Sequence, residues 1–340
     1  MMSEAPEAHP FDPVAVIGGG AWGTALACVL ARNGRATRLW IREEDVAETA
    51  ARTRENAAFL PGVELPETLA VTSDLNAAVA DVQAIVFVAP VQFARPVLEA
   101  LASARPEGPP VLLCSKGIER GTGAFMTDVA GAIWPSAAIA VLSGPSFAAD
   151  VARGLPTAVT LADPDPARGA RWIATVGAPT FRPYWSDDLL GVELGGAAKN
   201  VLAIACGVSE GLGLGDSAKA ALMARGYAEM TRLGAAIGAK PETLGGLAGL
   251  GDLILTCGSR QSRNMSLGFE LGQGRTVDEV LGERRSVAEG AATAVALVKL
   301  AKEKGVDTPI ASAVDDLVAG RVTVSEAMQS LLARPFRAEV

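Results

Sequence analysis

The stretch "VAVIGGGAWGTALACVLARNG", residues 14 to 34, constrains the fold more than any other. A short apolar run of strand type ends in a glycine-rich turn, and the turn opens an apolar helix. Gly18, Gly20 and Gly23 stand in a G-x-G-x-x-G pattern. The first glycine permits the tight turn, the second lets a pyrophosphate approach the backbone, and the third lets the helix pack on the sheet. The helix N-terminus then offers N–H groups to that anion. Gly34 closes the helix and "ATRLWI" begins a second strand. The pattern alone is weak, and this strand–turn–helix–strand context gives it meaning.

The same alternation continues to about Ser186, through "AIVFVAP", "PVLLCSKG", "AIAVLSGP" and "TAVTLA". Strands alternating with helices imply a mostly parallel sheet covered by helices. After about Asp187 the texture changes. Helical segments are predicted over 189–207, 216–238, 241–248, 260–273, 276–281, 288–304, 308–319 and 323–333, with few convincing strands. A chain of 340 residues suggests two domains. The fold class is α/β: an N-terminal Rossmann-like domain over 13–188 with a mostly parallel sheet, then an all-helical C-terminal domain over 189–340. Residues 1–12, rich in acids and prolines, read as a short disordered tail rather than a signal peptide.

Charge and composition exclude several classes. A net charge of -8 argues against a general nucleic-acid binder, which needs a basic footprint. No apolar run looks long and clean enough for stable membrane insertion. The four cysteines are scattered through apolar segments with no C-x-x-C pair, which fits buried thiols and a reducing cytoplasm. The single histidine is His9, in the tail. Metal sites built on imidazoles and Ser-His-Asp arrangements are therefore ruled out, and acid–base chemistry falls to Lys, Asp, Glu, Tyr or Cys.

One lysine answers that need. Lys199 lies in "GGAAKNVLAIACG", a helix with no polar face, and such a helix is usually buried. A buried ammonium is costly without a partner or a purpose. Burial and a nearby Lys116 would lower its pKa, while a nearby Asp252 would raise it. The alternative is a Lys that snorkels to the surface. Lys116 follows a strand, at the end of the sheet where ligands bind in open α/β folds, and a solvated loop Lys is the competing reading. Ser146, after Gly144 and Pro145, could cap a helix or present its hydroxyl to a ligand. Asp252 and Thr256 are four apart and share a helix face. Ser262, Arg263 and Asn264 form a donor cluster suited to phosphate or carboxylate, or else simply cap a solvated helix. At the end of the second strand, where an NAD-selective site carries an acid, this chain has Arg42, placed either for a 2′-phosphate or as a surface charge.

Taken in order, "GGGAWGTALA", "NAAFLPG", "SKGIE", "SGPSFA", "ELGGAAKNVLAI", "GLGDLILTC", "QSRN" and "VAEG" resemble the bacterial-type NAD(P)-dependent glycerol-3-phosphate dehydrogenases. The resemblance implies interconversion of sn-glycerol 3-phosphate and dihydroxyacetone phosphate with NADP(H) or NAD(H), supplying phospholipid synthesis. It implies Lys199 as proton acceptor with Asn200 beside it, and Lys116 and Asp252 in the same catalytic group. It carries Lys116, Gly144, Ser146, Lys199, Asp252, Thr256, Ser262, Arg263 and Asn264 over as substrate positions. Gly18, Gly20, Ala21, Trp22, Gly23, Arg42, Lys116, Ala148, Arg263, Val287 and Glu289 match cofactor positions. Ala288 departs from the pattern, where a larger apolar residue is common. The implied partner is a small phosphorylated substrate, with a homodimer left open. A related β-hydroxyacid dehydrogenase and a non-catalytic NADPH sensor are the rival readings.

Overall fold

The structure, a computed structural model, describes residues 8–283 and 289–336. Its first part runs β1 (Val14–Ile17), α1 (Ala21–Arg32), β2 (Thr37–Trp40), α2 (Glu44–Thr53), β3 (Ala70–Thr72), α3 (Leu75–Val79), β4 (Ala84–Phe87), α4 (Ala94–Ala104), β5 (Val111–Leu113), α5 (Met126–Ile133), β6 (Ile139–Ser143), α6 (Ala148–Ala152), β7 (Thr157–Ala162), α7 (Pro166–Val176) and β8 (Phe181–Ser186). The helices that follow are α8 (Leu189–Gly211), α9 (Gly215–Ile237), α10 (Pro241–Gly245), α11 (Asp252–Gly258), α12 (Arg263–Gly272), α13 (Val277–Gly282), α14 (Glu289–Glu303), α15 (Pro309–Val318) and α16 (Val324–Leu332). The described residues divide into two compact units. One holds residues up to Ser115 together with Met126–Val192; the other holds Lys116–Phe125 and the chain from Glu193 onward.

In the first unit eight strands form one sheet in the order β3-β2-β1-β4-β5-β6-β7-β8. All pairings are parallel except β6 with β7. The chain reverses its direction of travel across the sheet between β1 and β4, and ligands of open α/β sheets bind at such a switch point. Central strands such as β1 and β4 are buried along their whole length, as expected of a sheet covered on both faces. Two strands escape the sequence patterns. β3 is only three residues long and pairs with β2 alone. β8 carries Pro183, which an edge strand tolerates.

The tail predicted over 1–12 is not loose at its inner end. Phe11 is 2% exposed and packs on Trp172 with ring centroids 4.8 Å apart. Its N–H donates to Thr175 Oγ1 at 2.8 Å. Burying this ring, together with the hydrogen bond, offsets part of the cost of ordering the adjoining residues.

The second unit is helical. Gly191–Ile204 of α8 is buried residue by residue. α8 is also long and apolar enough to cross a membrane by length and composition, which corrects the sequence expectation; 83% of its apolar window is buried within the fold. Its glycines explain how neighbours come so close. A Cβ on Gly195 would lie 2.4 Å from Ala248 O, one on Gly207 2.2 Å from Met265 O, and one on Gly268 2.0 Å from Ile204 O. Backbone therefore meets backbone, first with the π-type turn over Leu247–Gly251 and then with α12.

Candidate active site

The glycine turn of the first unit has the geometry its sequence predicts. Gly18 has φ +121°, a conformation that favours glycine. A Cβ on Gly23 would stand 1.8 Å from Gly18 O, so the helix can start only where it does because that residue has no side chain. A Cβ on Gly20 would meet nothing within 4 Å. Gly20, the N-cap of α1, thus leaves an open cradle at a helix N-terminus, the geometry that suits a pyrophosphate. Ala21 and Trp22 open the helix, and the buried Trp22 Nε1 has no hydrogen-bond partner among the described residues. These features fit an NAD(P) cofactor.

Arg42 lies two residues beyond β2 with its side chain 66% exposed and paired to Glu43 Oε1 at 2.7 Å. A 2′-phosphate there would compete with one surface carboxylate, a weak rival. Gly144 has φ +146° after β6, and a Cβ on it would strike Val159 Cα at 2.8 Å. Ser146 is not a helix cap: Phe147 holds that position before α6, and Ala148 begins the helix. The Ser146 hydroxyl donates instead to Gly144 O at 3.0 Å.

The helical unit gathers the ionisable residues. Lys199 Nζ donates to Asp252 Oδ1 at 2.6 Å and to Thr256 Oγ1 at 3.0 Å. Lys116 Nζ donates to the other carboxylate oxygen, Oδ2, at 2.8 Å. Asp252 is 1% exposed and Lys199 7%. Asp252 and Thr256 do share a face of α11, with Thr256 Oγ1 3.3 Å from Asp252 Oδ1. Burial lowers the Lys199 pKa to about 8; Asp252 opposes the shift and Lys116 adds to it. Burial pushes the Asp252 carboxyl up, but the two ammonium groups outweigh it and hold the carboxyl below its ordinary value. The result is a single carboxylate between two ammonium groups, one of which has its pKa lowered to about 8.

The neighbouring amides form a brace. Asn264 Nδ2 donates to Asn200 Oδ1 at 2.9 Å, and Asn264 Oδ1 accepts Gly290 N–H at 3.0 Å. Asn200 Nδ2 donates to Lys116 O at 3.4 Å. The brace ties α8, α12, α14 and the Lys116 segment together, and Lys116–Phe125 falls in this unit although the sequence predicts it within 13–188. A Cβ on Gly290 would lie 2.5 Å from Asn200 O, so this crossing also depends on a glycine. Ser262 caps α12 by accepting Met265 N–H at 3.3 Å. Ser262 and Asn264 thus also hold the fold, and Arg263 is exposed at the first position of α12. Glu289 begins α14, whereas Val287 and Ala288 lie outside the described residues.

Two buried polar residues are given no individual role by the sequence patterns. Glu229 of α9 accepts the N–H groups of Ile310 and Ala311 at 2.7 and 3.2 Å, serving α15 in place of an ordinary cap. Burial raises its pKa to about 7. Asn56, the first residue of "NAAFLPG", reaches the glycine turn itself.

The family relationships agree with this geometry. Residues 13–168 match the model of the NAD-dependent glycerol-3-phosphate dehydrogenase N-terminus, and 188–329 match that of its C-terminus. The chain is 56% identical over 328 residues to a glycerol-3-phosphate dehydrogenase [NAD(P)+] of Rhodospirillum rubrum, covering 96% of this chain and 94% of the relative. A second such protein, from Parvibaculum lavamentivorans, is 55% identical over 97% of this chain and 98% of its own length. The crystal structure of glycerol-3-phosphate dehydrogenase from Coxiella burnetii superimposes with a TM-score of 0.91 at 38% identity, covering 97% of this chain and 100% of that one. This chain belongs to the NAD-dependent glycerol-3-phosphate dehydrogenase family.

Proposed function

We propose that the chain interconverts sn-glycerol 3-phosphate and dihydroxyacetone phosphate, with Lys199 moving the proton at the substrate C2 oxygen. One observation carries this assignment: a buried lysine hydrogen-bonded to Asp252 and Thr256, with its pKa brought down to about 8. Bound nicotinamide supplies the hydride acceptor or donor. For oxidation, the neutral Lys199 amine takes the hydroxyl proton as the C2 hydride departs. For reduction, the ammonium gives that proton to the ketone oxygen. An ammonium has three donors; Asp252 and Thr256 take two, which leaves one for the substrate. Lys116 shares the Asp252 carboxylate and so keeps it from binding Lys199 as an undivided counter-charge.

Arg263 is assigned to the substrate phosphate, supported by its place at the N-terminus of α12. Ser262 and Asn264 fix that end of the helix. The turn of Gly18, Gly20 and Gly23, with Ala21 and Trp22, is assigned to the cofactor pyrophosphate, and Arg42 to a 2′-phosphate. A cytoplasmic location is supported by four free, buried thiols. A homodimer is the assembly we favour, supported by the exposed Leu332 and Phe336; light scattering reads the mass. The product, glycerol 3-phosphate, is a backbone for phospholipid synthesis. The test of the whole reading is loss of NADPH absorbance on adding dihydroxyacetone phosphate. NADPH bound but left unoxidised would favour a sensor, and turnover of 3-hydroxy acids instead would favour the β-hydroxyacid dehydrogenases.

A further inference from the structure

We infer that Asn56 is a positioning residue of the dinucleotide cradle, fixing the Gly19–Gly20 peptide plane and so the direction in which Gly20 offers its N–H. The inference rests on the reading that this cradle holds NAD(P). Asn56 is 1% exposed. Its Nδ2 donates to Gly19 O and to Thr24 Oγ1, both at 2.8 Å. Thr24, fully buried on α1, turns its hydroxyl back to Gly19 O at 3.3 Å. One carbonyl of the glycine turn thus takes two donors, which are themselves hydrogen-bonded to each other.

The backbone of Asn56 is held as well, because its carbonyl accepts the N–H groups of Phe59 and Leu60 at 3.2 and 2.8 Å. Leu60, 4% exposed, anchors that turn in the core. Gly19 is shut in on another side by Ile41, whose Cγ1 would lie 2.4 Å from a Cβ there. The loop therefore has no room to rotate away from Asn56.

A trans peptide is rigid and planar, with C=O and N–H pointing in opposite directions. Pinning Gly19 C=O toward Asn56 turns Gly20 N–H away from it, on the exposed side of the loop. There a Cβ would meet nothing and a pyrophosphate has room. The amide orientation follows from the same chemistry. If flipped, Asn56 would set its own carbonyl oxygen against Gly19 O, acceptor on acceptor. As placed, Oδ1 is buried without a partner among the described residues, so the side chain forgoes its own satisfaction to give both donors.

The test measures NADPH dissociation constants by calorimetry beside melting temperatures and steady-state kinetics. Asn56→Ala should weaken NADPH by about tenfold, the scale of losing one well-placed hydrogen bond with its pre-organisation. Its kcat at saturating NADPH and its KM for dihydroxyacetone phosphate should stay within about twofold. Asn56→Asp has the same shape but cannot donate, and should weaken NADPH further. Thr24→Val should act in the same direction, and Thr24→Ser, which keeps the hydroxyl, should restore affinity. Gly20→Val, whose side chain has space in the free protein, separates the two readings. If Gly20→Val abolishes NADPH binding while folded Asn56→Ala and Thr24→Val bind as tightly as the parent, the role of Asn56 is overturned and the cradle stands. If Gly20→Val binds NADPH normally, both fall. Should the Asn56 variants not fold, the Thr24 pair alone decides: equal affinity in Thr24→Val and Thr24→Ser overturns the inference.

Discussion

Replacing Lys199 with Met removes the ammonium and keeps an unbranched apolar stem, and the structure lets both consequences be worked. The folding cost is a near balance. Burial brings the Lys199 pKa from 10.5 to about 8, an unfavourable contribution of about 3 kcal/mol at neutral pH that Met would relieve. Against this, Asp252 loses a partner, and a buried charge left alone costs ~3–5 kcal/mol. Asp252 is not left alone, because Lys116 Nζ stays 2.8 Å from Oδ2. The variant should therefore fold, with a melting temperature within about 4 °C of the parent. The linkage has a definite sign. Between pH 8 and 10.5 the unfolded lysine holds its proton and the folded one does not, so stability rises with pH across that window in the parent and not in the variant. Catalysis shows no such balance. With a pKa of about 8, roughly a tenth of Lys199 is neutral at pH 7 and roughly nine tenths at pH 9. Oxidation in the parent should rise about tenfold over that interval while reduction falls. Lys199→Met should lose at least ~10²-fold in hydride transfer, about 2.7 kcal/mol, and its pH profile should flatten. Single-turnover stopped flow at 340 nm with saturating NADPH reads this step directly. A folded variant transferring hydride within about threefold of the parent would remove Lys199 from the mechanism.

Three further outcomes test other parts of the structure. Arg42→Ala should raise the KM for NADPH by about tenfold and leave that for NADH nearly unchanged; equal losses would detach Arg42 from the 2′-phosphate. Arg263→Ala should cut turnover of dihydroxyacetone phosphate by ~10³-fold while sparing the poor activity on unphosphorylated dihydroxyacetone, because remote binding energy positions the reacting carbon; parallel losses at saturating NADPH would place the phosphate elsewhere. Glu229 is protonated more readily folded than unfolded, so its contribution is complete below about pH 4.5 and is lost as pH rises through about 7. Glu229→Gln should abolish that part of the pH dependence, worth up to ~3 kcal/mol, in urea midpoints compared at pH 5 and 8; the same slope in both proteins would exclude Glu229 as its source.

How legible the molecule is in its sequence depends on the range of the interactions involved. Features that follow from local periodicity are plain: the alternation that builds the sheet, the G-x-G-x-x-G turn, and the apolar helix around Lys199. β3 and β8 are not, because an edge strand need not be apolar and one of these carries a proline. The inner end of the predicted tail, around Phe11, departs from its composition for a related reason. Its composition is polar, yet one residue, Phe11, finds a tertiary partner in Trp172, about 160 positions away.

The candidate site shows the same division more sharply. Lys116, Lys199 and Asp252 can each be picked out singly, by a strand end, an apolar helix and a glycine-flanked acid. Their meeting cannot, since it depends on how closely three segments approach. That closeness comes from glycines with no chemical role of their own: Gly195 lets α8 touch the π-type turn that leads into Asp252, and Gly290 lets α14 close over Asn200 and Asn264. Ser262 and Asn264 read from sequence as ligand donors, and in the fold their oxygens also accept the Met265 and Gly290 N–H groups. Asn56 stands in the sequence only as part of "NAAFLPG", with no role of its own, yet it holds the one carbonyl that orients the cradle. A donor's residue type thus indicates what chemistry it could perform, and only its partners decide whether that capacity is still available. On the proposed reading the charged groups carry the reaction, while the neutral amides and the glycines set the geometry in which the charges can act.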